Sequence, residues 1–271
     1  MTAGAKTAIA VAIAAAVFAA AWRVVVHKSN LAPAIVTPHT NVQLEFSDGL
    51  GPRLYRATHE LPSDRSGRPR LIALTFDDGP YPIYTPLLLD ELQDLHVPAT
   101  FFLIGNDALQ WPELTQRIEA DGNEIGDHTL THPDLDRETP AQVRAEILGG
   151  RDVLWALSHD PAVRSLMRPP HGRYTERTLQ IAQQLGYDVV LWTDDSGDWR
   201  TVPVAALQQH LLAHATAPEI VLLHSGKLAT IEALPKVVGR FKEAGYEFVT
   251  VGQLLQRVQT AELNHPLRKA V

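Results

Sequence analysis

From Leu71 onward, short apolar runs alternate with segments whose apolar residues recur at helical spacing. The apolar runs predict strands over residues 71–76, 99–104, 123–127, 165–167, 187–193, 219–224 and 247–251. Helical signals lie between most of them. Thr85-Pro86 reads as an N-cap followed by Pro at the first helical position, with Leu87, Leu88, Leu89 and Leu92 as the apolar face. Thr139-Pro140 repeats that signal before Val143, Ile147 and Leu154. Gly186 and Gly245 stand where helices should stop. Alternation of this kind predicts an α/β fold on a parallel sheet. About seven parallel strands is an odd number for a regular barrel, so a distorted, incompletely closed (β/α) barrel is expected.

In such folds chemistry collects at the carboxyl ends of strands, and the chain places polar residues there. Asp77-Asp78 follow the first run, His128 the third and Arg168 the fourth; Asp194-Asp195 end the fifth and His224 the sixth. Adjacent carboxylates at the end of a buried strand are costly, because burial disfavours their charge and each repels the other. A cation between them, or service as a catalytic base, resolves that cost.

His128 and His132 are spaced i and i+4, which puts both imidazoles on one side of a helical turn. A carboxylate from another strand end completes a His-His-Asp set. Three protein ligands leave a position for water, the catalytic arrangement. Asp127 competes for the third place, but on extended backbone it points away from His128, which favours Asp78. Such ligands suit zinc, with cobalt, nickel and iron as alternatives. A ligand beside a base is what metal-assisted hydrolysis needs.

Arg168-Pro169-Pro170-His171-Gly172 is a rigid turn whose guanidinium can pair with a carboxylate and keep it ionised. Trp192, Asp195, Asp198 and Trp199 set aromatic faces beside carboxylates, which suits a sugar cleft. His224 can protonate a leaving amine if a carboxylate such as Asp195 holds its tautomer.

The rest of the composition adds bounds. A net charge of -7 argues against binding nucleic acid by phosphate neutralisation. The absence of cysteine excludes disulfides, thiolate ligands and cysteine nucleophiles. Lys6 precedes an apolar run over residues 7–22, near the lower limit for a membrane span and also suited to a signal-peptide core. The expected organisation is a signal peptide or membrane anchor over 1–28, a linker over 29–70 with one strand at 42–46, a catalytic domain over 71–256 and a tail over 257–271. That places the protein outside the cytosol, at the cell envelope, with the N-terminal segment meeting the membrane. Oligomeric state is not legible.

Taken together, five segments in order resemble the signature motifs of the polysaccharide deacetylase family, carbohydrate esterase family four. They are Thr75-Phe76-Asp77-Asp78-Gly79-Pro80, His128-Thr129-Leu130-Thr131-His132, Arg168-Pro169-Pro170-His171-Gly172, Asp195-Ser196-Gly197-Asp198-Trp199 and Leu222-Leu223-His224. The resemblance implies removal of N-acetyl groups from sugar polymers or oligomers, an acetylated glycan being the substrate. It implies Asp77 as base, Asp78, His128 and His132 as ligands of a divalent metal, and Arg168 orienting the base. It implies Asp195 supporting His224 as the acid, with Trp199 and Leu222 lining the acetyl pocket. Two positions depart from the family. His171 stands where Tyr is common, and its backbone N–H keeps the oxyanion role. Ser225 stands where Asp is common. Rival readings are an esterase on O-acetylated xylan, a glycosidase with paired carboxylates, and a sugar-binding protein without catalysis.

Overall fold

The structure, a computed structural model, describes residues 54–55 and 70–263. The apolar run over 7–22, the strand expected at 42–46 and most of the linker lie outside the described residues. Among the described residues no helix is long and apolar enough to cross a membrane.

All seven expected strands form. They are β2 (Arg70–Asp77), β3 (Thr100–Leu103), β4 (Glu124–Asp127), β5 (Leu166–Met167), β6 (Asp188–Val190), β8 (Glu219–His224) and β9 (Tyr246–Phe248). Two short additions join them, β1 (Leu54–Tyr55) and β7 (Asp194–Asp195). The described strands are all parallel, in the order β1-β6-β5-β4-β3-β2-β8-β7, with β9 also on β2. β1 falls inside the stretch read as linker, so that stretch contributes to the sheet.

The strand expected over 187–193 stops at Val190, and a second short strand follows at Asp194. β6 pairs with β5, the chain kinks through Leu191 and Trp192, and β7 pairs with β8. One segment therefore bridges the two ends of the strand order, which curls the sheet into an incomplete barrel. The kink is a polar junction: Val190 O and Leu191 O accept from the Arg168 guanidinium at 3.1 and 3.2 Å.

The helices are α1 (Tyr84–Leu95), α2 (Gly105–Gln110), α3 (Pro112–Ala120), α4 (Pro140–Leu157), α5 (Glu176–Gln184), α6 (Val204–Ala213), α7 (Leu228–Glu243) and α8 (Val251–Leu263). Thr139 caps α4 as expected, in a reciprocal box with Gln142. Gly186 and Gly245 take the left-handed backbone that ends a helix. The expected cap at Thr85 is not found. α1 starts at Tyr84, and Thr85 Oγ1 accepts from Tyr81 N inside the first turn. Leu87 points outward while Leu88, Leu89 and Leu92 are buried. α8 runs through the boundary expected at residue 256.

Strand alternation sorts the core into two faces. Ile72, Leu74 and Phe76 of β2 pack outward under α1 and α7 with Leu88, Leu92, Val237 and Phe241. Leu71 and Ala73 face inward with Phe102, Val190 and Ile220, where Leu254 and Leu255 of α8 close the floor. Glu124 fastens that floor, accepting from Gly252 N and Thr100 Oγ1 at the start of α8. The inward row of β2 continues as Thr75 and Asp77, so the interior changes from apolar to polar toward the carboxyl end.

Candidate active site

β2 carries Asp77 inward at its last position, with only 4% of the residue exposed. β8 lies beside it with His224 in register with Asp77, so both project to the same face. Arg168, fully buried, donates from Nη1 to Asp77 Oδ1 at 2.6 Å and to Thr75 Oγ1 at 2.7 Å. Burial raises the Asp77 pKa above the ordinary carboxylate value, and Arg168 opposes that rise. The expectation that Arg168 favours the ionised form holds in sign, but desolvation outweighs it.

Asp78 leaves the strand through a left-handed backbone (φ 69°), which turns its carboxylate out of the strand's alternation. Asp77 and Asp78 can therefore serve the same site from one stretch of chain. The hydroxyl of Ser225 sits beneath this peptide, 3.2 Å from both Asp77 O and Asp78 O.

His128 and His132 do not lie on a helical turn as the spacing suggested. They bracket an irregular loop in which Thr129 and His132 take left-handed backbone (φ 70° and 62°). The loop nonetheless brings His132 Nε2 to 3.2 Å from His128 Nε2 and 3.3 Å from Asp78 Oδ1. His128 Nε2 lies 3.8 Å from Asp78 Oδ1. Together with His171, four non-glycine residues at the site hold positive φ, the kind of strain that gathers at functional centres.

Asp127 faces the other way, as expected. Its Oδ1 accepts from Thr129 N and packs against Gly150 of α4, where any Cβ would collide with it.

The donor set fits a divalent cation. His128 Nδ1 is 2.7 Å from Arg168 O, and a carbonyl can only accept, so Nδ1 carries the hydrogen. Burial drives the His128 pKa down to about 3, against the pull of Asp78, leaving Nε2 as a bare lone pair. Burial also lowers the His132 pKa. Two imidazoles and a carboxylate thus converge their acceptor atoms within 4.8 Å. Tetrahedral zinc with bonds of about 2.0–2.2 Å spaces its ligand atoms about 3.3–3.6 Å apart, close to the separations found here.

The partner of His224 is not the residue expected. Asp198 Oδ1 accepts from His224 Nδ1 at 2.7 Å, while its Oδ2 accepts from His224 N and Thr230 Oγ1. Asp195 is exposed and folds back onto Gly197 N, capping the turn that carries the chain down to Asp198. Desolvation would lower the His224 pKa, but the Asp198 hydrogen bond and nearby carboxylates more than offset it, and the net shift is upward.

The remaining candidates surround this centre. His171 N–H makes no hydrogen bond among the described residues. Leu222 is buried in register with Thr75. Trp199 is 49% exposed. Trp192 is partly buried against Gly172, with the Arg168 guanidinium 5.6 Å from its ring centre.

Comparison with known proteins gives the family. The polysaccharide deacetylase family model matches residues 64–190, ending before Asp198 and His224. A peptidoglycan-N-acetylglucosamine deacetylase of Bacillus cereus is 36% identical over 204 residues, covering 73% of this chain and 92% of that protein. A chitooligosaccharide deacetylase of a Bradyrhizobium species is 36% identical over 199 residues, covering 68% and 90%. The solved structure of peptidoglycan deacetylase PdaC from Bacillus subtilis superposes with a TM-score of 0.68 at 30% identity, covering 75% of this chain and 98% of that one. The chain belongs to the polysaccharide deacetylase family, hydrolases that act on amide bonds.

Proposed function

We propose that the chain removes acetyl groups from N-acetylglucosamine units of a glycan, using a divalent cation held by Asp78, His128 and His132. The observation that carries this reading is the convergence of three lone-pair donors beside the Arg168-bound Asp77, with His224 in register on the next strand. The relatives named for peptidoglycan and chitooligosaccharide deacetylation support the substrate class. When bound, the cation supplies Lewis-acid polarisation and lowers the pKa of a water toward about 7.

The protein groups divide the remaining work. Asp77 takes the proton of the attacking water, and Arg168 keeps its carboxylate aimed inward. The His171 N–H donates to the oxyanion that forms at the acetyl carbonyl. His224, with Nδ1–H held by Asp198, gives the proton at Nε2 to the departing sugar nitrogen. The C–N bond breaks, and acetate and a free amine leave. Trp199 offers an exposed aromatic face for the sugar, and Leu222 an apolar wall for the acetyl methyl.

Zinc is the cation this donor set suits best. The apolar run over residues 7–22 supports export, with the catalytic domain acting on envelope glycans. The test is acetate release by the full chain, with zinc and then with chelator. The substrates are N-acetylglucosamine oligomers, peptidoglycan and acetylated xylan. Zinc-dependent acetate from either of the first two is the expected result. Acetate from xylan alone would favour the esterase, and shortened oligomers the glycosidase.

A further inference from the structure

The proposed chemistry uses the backbone of His171 and leaves its side chain without a task. That side chain is 58% exposed, yet it is held in place. Nδ1 lies 2.9 Å from Asp134 Oδ1. A carboxylate oxygen accepts, so Nδ1 carries the hydrogen and Nε2, the other ring nitrogen, is left to meet a ligand. The ring stands edge-on to His132, with centroids 4.6 Å apart and planes at 76°, beside the metal-ligand cluster.

The anchor is itself anchored. Asp134 lies 3.7 Å from Arg173 Nε and 3.5 Å from Arg137 Nε. Arg173 also grips Asp136 through two bonds of 3.0 and 2.7 Å. The loop that follows His132 and the turn that follows Arg168 are thus joined by charge-assisted bonds. The left-handed backbone of His171 (φ 56°) sets where the ring leaves the turn. An exposed imidazole fixed in one tautomer and one orientation has already lost the freedom that binding would otherwise cost.

We propose that His171 is a specificity-determining residue whose Nε2 hydrogen-bonds a hydroxyl of the glycan, with Asp134 as its positioning residue. An apolar ring at this place has no polar atom to make that bond. The inference rests on the deacetylase reading for the identity of the ligand. It assigns to the side chain a task separate from that of its backbone N–H.

The test uses the full chain with zinc and the variants His171→Phe and Asp134→Asn. Four quantities are measured: kcat and KM on N-acetylglucosamine oligomers, calorimetric binding of the fully deacetylated oligomer, and zinc affinity. One lost hydrogen bond predicts a roughly five- to tenfold rise in KM for His171→Phe, with product binding weakened equally. Asp134→Asn should move both the same way, by about threefold. Zinc affinity should stay within about twofold in both variants. Unchanged KM and product binding in the variants would overturn the proposal, and so would a loss confined to kcat. A tenfold fall in zinc affinity for His171→Phe would make it a metal ligand instead. Product binding needs no turnover, so it tests His171 even if the wild type releases no acetate, an outcome that would sink the deacetylase reading alone.

Discussion

Arg168 Nη1 lies 2.6 Å from Asp77 Oδ1, with both side chains buried. The guanidinium also reaches Thr75 Oγ1, Val190 O and Leu191 O, so it ties β2 to the kink between β6 and β7. The same side chain orients the base and holds the curl of the sheet. Replacing Arg168 by Met leaves a buried carboxylate without its partner, which costs about 3–5 kcal/mol. Urea unfolding of Arg168→Met should show that loss. The double variant with Asp77→Asn should recover part of it, since no buried charge then remains uncompensated.

Asp77→Asn keeps an acceptor for Arg168 and removes the base. Turnover should fall by about 10²–10⁴-fold, while zinc affinity stays near that of the wild type because Asp78, His128 and His132 are untouched. Kinetics paired with a zinc titration check both halves. Wild-type turnover in this variant would remove Asp77 from the mechanism.

Asp198, not Asp195, should govern the alkaline limb of the pH profile. The Asp198 hydrogen bond and charge raise the His224 pKa. His224 acts in its protonated form, so activity is present below that pKa and is lost as pH rises through it. Asp198→Asn removes the charge and leaves one oxygen for the donors that two carboxylate oxygens serve. The limb should move to lower pH, and kcat should drop by on the order of 10²-fold, the lower end of what a positioned acid contributes. Asp195→Asn touches only an exposed turn and should leave the profile in place. An equal shift in both variants would contradict the hydrogen-bond assignment.

Glu219 should make the fold less stable as pH rises. It is buried at the start of β8, with Oε2 accepting from Thr216 N, and burial pushes its pKa up to about 8. The native state therefore binds this proton more tightly than the unfolded chain does. The stabilisation is complete below the unfolded value of about 4.3. It is lost as pH rises toward about 8. Glu219→Gln removes the titration. Its melting temperature should exceed that of the wild type at pH 8 and approach it at pH 5. Parallel curves for the two proteins between those pH values would show that Glu219 is not the source.

The strands were legible because each is a short apolar run at a regular place in the alternation. The ligands were legible because Asp78, His128 and His132 follow strands that lie near one another in the sheet. Legibility failed where local chemistry offered equivalent choices. Asp195 and Asp198 both sit near His224 in any reading of the motif, and only the turn at Gly197 decides which descends to it. The spacing of His128 and His132 suggested a helical turn, yet left-handed backbone at Thr129 and His132 joins their Nε2 atoms without one. A single strand over 187–193 was the natural reading of its apolar pattern. Barrel curvature ends it at Val190, because the chain beyond turns to a different neighbour.

By itself the sequence determined the α/β class, the strand-end layer of polar residues and the donor set for a cation. Those follow from hydrophobic period and residue chemistry, which are local. The tertiary structure decided which carboxylate pairs with His224, how Arg168 joins Asp77 to the kink after β6, and that His171 is held by Asp134. Those contacts link residues 26 to 91 positions apart. They depend on strand order and on left-handed turns whose geometry no local pattern encodes.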